Sequence, residues 1–490
     1  MATNAGARTA PSQESMVTVA RLAAALDAIA ASMPGEEDLV EALGGFVRMA
    51  DDREIVRINP IRFAAERGLD PSNVVNTFLH ARKAGLLTME WQYVCPGCGD
   101  IVERLPSLTS ATAHYFCQVC SADRDAELSD GIEITFSVAP EIRRSRYHEP
   151  WGLDPEEHFL DYRFSQTAVI DDGSPLREHL RDTGIAWAYV RPGTTEHFRF
   201  TAEPGYVWFT NGPALIVGTD RTSETRSFTF DYSGVRSKGF RAEIEAGPVA
   251  VAFTNSTDAP YALMINQLPD HYDVSMGPFL SGSDLLSNQT FLDLFEHERI
   301  AAGEGLAVQR LTLVFTDLQG STALYERVGD MKAFDLVTQH FGHLREVISR
   351  NNGALVKTIG DAVMASFVDP LDGLRAALEM VARIDEANSQ AGGDLLALKV
   401  GLHSGACLAV TLNDRLDYFG QTVNIAARIQ GLAGPGEIVA SEDVLAAPGA
   451  AEVIAGLETE AMNVELRGVA GPVDVHRIRG SSRTTRATSS

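Results

Sequence analysis

The sequence predicts a multidomain α+β protein, and three observations support this fold class. At 490 residues, the chain is too long to be organised by one hydrophobic core. Helical, strand-rich and mixed patterns follow one another along it, as expected for separate layer architectures. Two Cys-x-x-Cys pairs lie between the helical and the strand-rich stretches. We therefore expect, in chain order, a winged-helix-like segment with a zinc ribbon, a β-sandwich-like region and a ferredoxin-like βαββαβ domain.

Composition and charge restrict the class of protein. Apolar residues make up 45% of the chain and charged residues 22%, as in ordinary soluble domains. The formal net charge of −25 argues against broad, non-specific binding to nucleic acid or anionic lipid, since both are negatively charged. No run of about 18 apolar residues predicts a membrane span.

The ends of the chain and its cysteines indicate a cytoplasmic protein. Residues 1–15 lack the apolar stretch of a signal peptide, and we expect them, like residues 480–490, to form disordered tails. The five cysteines are four in two Cys-x-x-Cys pairs plus Cys407, which is not a secreted disulfide framework.

Residues 16–91 are predicted to be mainly helical. Apolar residues recur every three or four positions, and Pro34–Gly35 divides this stretch into two helices. Helices are then expected over 60–67 and 72–84, with a turn between them and a strand after them. This arrangement resembles a winged helix.

Two interpretations of the winged-helix-like segment are open. Its basic residues would favour DNA binding; they are Arg57, Arg62, Arg67, Arg82 and Lys83. Acidic neighbours such as Asp51, Glu54 and Asp70 oppose DNA binding, so a protein-contact or dimerisation module is favoured on grounds of charge.

Residues 92–125 contain the two cysteine pairs, Cys95/Cys98 and Cys117/Cys120. The 18 residues between the pairs fall within the window for a four-thiolate zinc ribbon. All four positions would be protein ligands, so this zinc should be structural rather than catalytic. A thioredoxin-like redox pair is the weaker alternative, because no βαβ pattern surrounds it.

Residues 126–270 are predicted to be β-rich, and residues 271–305 to connect them to the last domain. Alternating segments such as 131–138 and 226–232 are separated by Gly, Pro, Asn and Asp. The aromatic residues Trp208, Phe209 and Tyr232 are expected in a core rather than in a pocket. In the connector we expect one amphipathic helix, over 291–300, which would pass a regulatory signal on.

Residues 306–479 show the order strand, helix, strand, strand, helix, strand, helix, strand, which is typical of a ferredoxin-like fold. Asp317 follows the first strand, and Asp361 lies in the turn of a predicted hairpin. A sheet could bring these carboxylates together, and without Cys or His beside them they favour Mg²⁺ or Mn²⁺. After Asp317, a helix opens with residues whose backbone N–H groups suit a phosphate: Gly320, Ser321 and Thr322.

Four short motifs make this domain specific: Val314-Phe-Thr-Asp-Leu-Gln-Gly-Ser-Thr322, Lys357-Thr-Ile-Gly-Asp361, Gly401-Leu-His-Ser-Gly405 and Asp417-Tyr-Phe-Gly-Gln-Thr-Val-Asn-Ile-Ala-Ala-Arg428. With them, the stretch 308–446 resembles the catalytic domain of class III adenylate and guanylate cyclases. The resemblance implies that Asp317 and Asp361 bind two metal ions and that Lys357 and Asp417 select the purine. It also implies that Asn424 and Arg428 stabilise the transition state.

The resemblance implies an intramolecular attack of the ribose 3′-oxygen on the α-phosphorus, with pyrophosphate as leaving group. A lysine only donates and a carboxylate only accepts, which complements N1 and N6 of adenine, so ATP is expected as substrate. Members selective for GTP usually carry Glu and Cys at these two places. Shared sites in the family imply a homodimer with two equivalent active sites.

Some residues depart from the family pattern, and others are expected to lie outside the catalytic chemistry. The segment 406–413 lacks the glycine usual there, and a loop is expected up to Asp417. His403 is expected to be a packing residue, Cys407 a buried apolar one and Arg467 a surface residue rather than a phosphate ligand. Alternatives to an adenylate cyclase are a guanylate cyclase, a catalytically silent sensor and a DNA-binding regulator. A regulatory ligand or protein partner of the N-terminal half is compatible with all of them.

Overall fold

The computed structural model of the protein describes residues 18–120, 122–210, 214–234, 241–268, 272–319, 326, 329–390 and 397–479. The predicted tails, 1–15 and 480–490, lie outside the described residues. The chain forms two compact units. The N-terminal unit comprises the residues up to 106, then 114–126 and 130–280; the C-terminal unit comprises 107–113, 127–129 and the residues from 281.

Four helices open the N-terminal unit: Val19–Ser32, Glu37–Met49, Pro60–Arg67 and Pro71–Lys83. The third begins where the Asn59 side chain accepts hydrogen bonds from two backbone N–H groups, and it ends at Gly68 with a φ of 63°. Asp70 caps the fourth helix by accepting one hydrogen bond, from Asn73 N at 2.9 Å. The predicted helices of this segment are therefore present, and the winged-helix assignment stays a prediction.

The strand Leu87–Val94 follows and pairs with Ile101–Leu105 and Ile132–Val138. The alternating sequence pattern predicts that residues 131–138 belong to the same β-rich region as residues 226–232. In the structure, Ile132–Val138 pairs with Leu87–Val94 instead. All seven residues of Ile132–Val138 are buried, which an alternating pattern does not indicate. A separate hairpin joins His114–Cys117 to Ala122–Asp125.

The rest of the N-terminal unit is built on a seven-stranded sheet, with strands Gly184–Val190, Thr195–Ala202, Gly205–Phe209, Ala214–Arg221, Arg226–Tyr232, Arg241–Asn255 and Tyr261–Leu268. The long strand Arg241–Asn255 pairs with Ala214–Arg221 along its first half and with Arg226–Tyr232 along its second half. Apolar residues of the long strand and of the other strands pack into one cluster on one face of the sheet. This cluster includes Phe209 and Phe253.

A second, smaller apolar cluster lies on the other face of this sheet. It is formed with the helix Leu176–Thr183, the π-helical turn Phe159–Arg163, which follows the short helix Pro155–His158, and the strand pair Ala168–Ile170 and Val274–Met276. Two 3₁₀ turns, Arg146–His148 and Pro150–Gly152, precede these elements.

The C-terminal unit contains an eight-stranded sheet. Seven strands lie in the order Ala354–Ile359, Ala362–Phe367, Leu306–Gln319, Ala397–Leu412, Glu437–Ser441, Pro472–Arg479 and Glu458–Glu465, and Arg415–Phe419 pairs with Ala397–Leu412. Its helices are Asp330–Arg350, Pro370–Gln390, Gln421–Gln430, Glu442–Leu445 and Ala450–Val453. The unit therefore has a mixed α+β fold, while the ferredoxin-like assignment remains a prediction.

Helices cover both faces of this sheet. Asp330–Arg350 and Pro370–Gln390 pack on one face, where Leu344, Met380 and Val400 share a large apolar cluster. Gln421–Gln430 packs on the other face with Val439, in a smaller cluster. Alternation along each strand explains the division, because neighbouring side chains point to opposite faces.

The predicted connector helix over 291–300 is wrong in position. The segment forms the short helices Gly282–Leu286 and Gln289–Leu294, and the second ends at Phe295. Asn288 caps this helix by accepting from Phe291 N at 2.9 Å, so it starts earlier than expected. Beyond it, Ile300 N donates to Thr411 Oγ1 at 3.0 Å, so tertiary contacts of the unit replace a further helical turn.

Within the described ranges, no helix combines the length and the apolarity needed to cross a lipid bilayer.

Candidate active site

Two carboxylates lie at one end of two neighbouring strands. Asp317 is near the end of the first strand of the C-terminal sheet, and Asp361 lies in the turn just before the third. These strands pair with Thr316 opposite Val363, and Thr316 Oγ1 accepts a hydrogen bond from Val363 N at 3.2 Å. The register therefore places both carboxylates at the same end of the pair, although 44 positions separate them in the sequence.

The turn that carries Asp361 requires a glycine. Gly360 precedes it with a φ of 66°, in the left-handed region that favours glycine in a two-residue hairpin turn. Asp317 and Asp361 are both half-buried, so solvent or a ligand can reach them. Lys399 lies directly opposite Asp317 on the neighbouring strand. Carboxylate oxygens fit hard divalent cations such as Mg²⁺ and Mn²⁺.

Sequence reasoning missed His340, which lies beside this end of the sheet. The residue is 3% exposed, and neither ring nitrogen has a hydrogen-bond partner among the described residues. Burial and, to a lesser extent, the neighbouring His343 lower the pKa of His340 to about 4, and Asp361 opposes this shift. The imidazole is therefore neutral near pH 7. Its place in the apolar stripe between Val337 and Leu344 is the signal that could have found it.

The pair predicted to select the base is in contact. Lys357 Nζ lies 2.5 Å from Asp417 Oδ2, although their strands are not paired with each other in the described sheet. The lysine side chain is 36% exposed and that of Asp417 11%. Strand pairing shifts between Leu355 and Lys357, so a bulge immediately precedes the lysine. A bulge of this kind re-aims the side chains next to it.

The expected loop before Asp417 is wrong, because this residue lies on a strand. Ala397–Leu412 and Arg415–Phe419 form a hairpin around Asn413 and Asp414, with Asp417 opposite Val410. Asn413 and Asp414 have φ values of 49° and 63°, as in a two-residue type I′ turn. Asn and Asp are the non-glycine residues that best accept this conformation, so the Asn-Asp pair was the available signal.

The helix Gln421–Gln430 carries Asn424 and Arg428 one turn apart. Asn424 is exposed and donates to Gly420 O at 3.3 Å, while Arg428 is half-buried. The helix packs directly on the backbone of the neighbouring strand, since a Cβ on Gly401 would lie 2.2 Å from Gln430 N. A Cβ on Gly405 would similarly lie 2.8 Å from Thr422 Oγ1. Both glycines of the Gly401-Leu-His-Ser-Gly405 motif therefore permit this close approach.

The remaining candidates have separate places in the structure. His403 is buried, and its Nδ1 lies 2.9 Å from Ser441 Oγ. Burial raises the pKa of the Cys407 thiol to about 12. Arg467 is exposed in a turn, and a Cβ on its neighbour Gly468 would lie 3.5 Å from Arg428 Nη2. The predicted phosphate-binding residues Gly320, Ser321 and Thr322 lie outside the described residues.

The four cysteines of the N-terminal unit converge as predicted. The sulfur atoms of Cys95, Cys98, Cys117 and Cys120 all lie within 4.8 Å of one another, and this cluster could hold a metal ion. The distances are 3.7 Å from Cys95 to Cys120 and 3.6 Å from Cys98 to Cys117. Hydrogen bonds from Cys117, Cys120 and Cys98 hold the pKa of Cys95 far below its usual range. A thiolate is the form in which cysteine binds a metal.

Two family models match the chain. Residues 21–293 match a family of unknown function, DUF5939, and residues 306–476 match the adenylate and guanylate cyclase catalytic domain. The chain is 32% identical over 217 residues to a pH-sensitive adenylate cyclase of Mycobacterium tuberculosis, a match that covers 43% of this chain and 51% of that protein. It is 39% identical over 127 residues to an uncharacterized protein of Mycobacterium bovis, covering 26% of this chain and 31% of that protein. The chain thus spans about half or less of the length of these relatives.

Solved structures of cyclases are similar to part of the chain. The adenylyl cyclase CyaB from P. aeruginosa is 22% identical, with 37% of this chain and 98% of that chain covered and a TM-score of 0.32. The guanylate cyclase domain of RhGC from Catenaria anguillulae, solved with GTP, is 20% identical, with 36% and 99% covered and a TM-score of 0.32.

Proposed function

Since the chain belongs to the DUF5939 family of unknown function and ends in an adenylate and guanylate cyclase catalytic domain, we propose that it converts ATP to 3′,5′-cyclic AMP and pyrophosphate at sites shared by two copies of the chain. The N-terminal half would regulate this activity in the cytoplasm.

The contact between Lys357 and Asp417 carries the choice of ATP. Their polar atoms lie 2.5 Å apart, and N1 and N6 of adenine are neighbours on one edge of the base. Lys357 can donate to N1 and Asp417 can accept from N6. Guanine has a donor at N1 and an acceptor at O6. Lys357 would then face a donor and Asp417 an acceptor, and each mismatch would leave a polar atom unpaired at a cost of about 1–3 kcal/mol.

Asp317 and Asp361 would hold two divalent ions, Mg²⁺ or Mn²⁺. Their donor set fits such ions, since both offer carboxylate oxygens at the same end of a strand pair. When bound, these ions would lower the pKa of the ribose 3′-hydroxyl and neutralise charge on the triphosphate. Gly320, Ser321 and Thr322 are proposed to bind the phosphates.

Asn424 and Arg428 would act on the ribose and on the reacting phosphate. The planar guanidinium of Arg428 suits the negative charge that builds on the α-phosphoryl oxygens. Asn424, one helical turn earlier and exposed, would orient the ribose by hydrogen bonding so that its 3′-oxygen faces the phosphorus.

An exposed apolar surface beside Asp417 supports a homodimer. Leu408 lies opposite Phe419 in the hairpin, and the two residues are 40% and 64% exposed. Leu412 is on the same face, at 48% exposure, and Asp417 lies on this face between them. Exposed apolar patches of this kind mark interaction surfaces. A second copy on this face would bring its own Asp317 and Asp361 towards the base-binding pair.

The four-cysteine cluster would hold a structural Zn²⁺. Thiolates are soft ligands, and four of them leave no open position for a substrate. The metal would stabilise the N-terminal unit rather than take part in the cyclisation.

One assay tests the proposed function. The purified full chain is incubated with Mn²⁺ or Mg²⁺ and either ATP or GTP, and the cyclic product is separated by chromatography. We expect cyclic AMP, with loss of product in D317A and D361A. The exposed Asp385 of the same unit provides a matched control, and D385A should retain activity. No cyclic product from either nucleotide would contradict the proposal, and cyclic GMP as main product would contradict the assignment of ATP.

A further inference from the structure

The N-terminal unit contains an apolar cavity of about 360 Å³. Its walls come from the helix Leu176–Thr183, from the strands that carry Tyr206, Trp208 and Ile216, and from Tyr272. The first Cys-x-x-Cys turn adds Gly97 and Cys98 to the lining. This volume lies at the small end of the range for ligand pockets, so it suits a molecule of one or two rings.

Strand alternation explains why aromatic side chains line a cavity here. Val207 and Phe209 point to the main apolar core of the sheet, so Tyr206 and Trp208 point to the opposite face. On that face, the smaller apolar cluster packs around Trp208 but does not fill the space beside it. Trp208 therefore packs against an apolar cluster, as expected, but it also lines the cavity, whereas Phe209 and Tyr232 belong to the main core of the sheet.

One charged residue is present among the described residues that line the cavity. Arg241 is exposed and lies at the start of its strand, next to Ala214, which also lines the cavity. No carboxylate contributes to the described lining. A single guanidinium beside apolar walls fits one planar anion, because its N–H groups match the two oxygens of a carboxylate. A polyphosphate would need several cationic or backbone donors.

We propose that this cavity binds a small aromatic carboxylate, with its ring against Tyr206 and Trp208 and its carboxylate on Arg241. The aromatic walls would contribute stacking, and the arginine would give selectivity for the anion over a neutral molecule of the same shape. This site is distinct from the nucleotide site and does not depend on the cyclase assignment.

Isothermal titration of the full chain with 2-naphthoate and with neutral 2-naphthylmethanol tests the proposal. We expect saturable binding of the carboxylate and weaker binding of the alcohol. R241A should weaken binding of the carboxylate by about 10-fold or more and leave binding of the alcohol unchanged, since only the carboxylate would lose a charge-assisted hydrogen bond. Arg241 is exposed, so its replacement should not unfold the protein. R199A removes an exposed arginine that does not line the cavity and should change neither affinity.

A second variant tests the place of binding. I216W adds bulk to the cavity wall and should abolish binding of both probes. Equal affinity of the wild type for the two probes, unchanged carboxylate binding in R241A or I216W, or no saturable binding of 2-naphthoate would each overturn the proposal.

Discussion

Gln289 Oε1 accepts a hydrogen bond from the backbone N–H of Leu355 at 2.8 Å. Leu355 lies on the edge strand of the C-terminal sheet, two residues before Lys357 and next to the bulge that aims it. Gln289 is 8% exposed, and its amide also donates to Asp293 Oδ1 at 2.9 Å, which fixes its orientation. The segment before the C-terminal sheet is therefore bonded to the strand that carries Lys357, the lysine proposed to contact the base.

Removal of this contact should weaken nucleotide binding. In Q289A the Leu355 N–H loses its acceptor, and a hydrogen bond of this kind contributes about 1 kcal/mol. We expect the KM for ATP to rise about 3- to 10-fold with little change in kcat, measured by initial rates. D293A leaves Gln289, the acceptor for the Leu355 N–H, in place. It should therefore raise the KM for ATP less than Q289A does. A fall in kcat at constant KM would contradict a positioning role for Gln289.

Exchange of the base-reading pair should change the nucleotide that is used. K357E/D417C supplies the residues usual in GTP-selective relatives, and it removes the donor for N1 and the acceptor for N6 of adenine. With about 1–3 kcal/mol for each mismatched contact, the ratio of kcat/KM for ATP over GTP should fall by at least about 10-fold. Parallel rate measurements with both nucleotides decide this. An unchanged ratio would mean that these residues do not contact the base.

Complementary mutants test whether the sites are shared. D317A and N424A should each be inactive alone. In a mixture of equal amounts, about half of the dimers would contain one chain of each kind, and each of these would have one intact site of two, giving roughly a quarter of wild-type activity. Co-expression with separate affinity tags allows the mixed dimer to be isolated and assayed. Inactive mixed dimers would argue for sites within single chains.

Gly401 should be intolerant of any side chain. The added Cβ of G401A would lie 2.2 Å from Gln430 N, so the helix carrying Asn424 and Arg428 would have to move. We expect loss of most cyclase activity, because a displacement of about 1 Å of catalytic groups can lower the rate 100-fold. G342A, where a Cβ meets no atom within 4 Å, is the control and should retain activity. Full activity of G401A would contradict the described packing.

The N-terminal unit should lose stability in mild acid through His158. Burial lowers the pKa of this histidine to about 4, below the value of about 6.5 in an unfolded chain. The unfolded chain therefore binds the proton first, so stability falls as pH drops from about 6.5 towards 4. Between pH 7 and 5 this amounts to about 2 kcal/mol.

Tryptophan fluorescence can follow this change, because all four tryptophans are in the N-terminal unit. H158F keeps an aromatic ring beside Trp151 and Tyr189 but cannot take up a proton. Denaturant unfolding of H158F should show a smaller loss of unfolding free energy between pH 7 and 5 than that of the wild type. Parallel pH dependences of the two proteins would show that His158 does not contribute.

Features that depend on local spacing could be predicted from the sequence alone. The Cys-x-x-Cys pairs predicted a four-cysteine cluster, and the described sulfur atoms do converge. The four motifs predicted a cyclase domain, which the family match confirms. Apolar spacing and the turn between them predicted the helices near Pro60 and Pro71, because these signals lie within a few residues of each other.

Contacts between segments that are distant in the chain could be read only from the folded protein. The tertiary structure paired Ile132–Val138 with Leu87–Val94, ended the connector helix at Leu294, placed Asp417 on a strand and opened a cavity beside Trp208. The physical reason is that strand pairing and packing join residues far apart in the chain, and a residue's own pattern shows which faces are apolar but not what covers them.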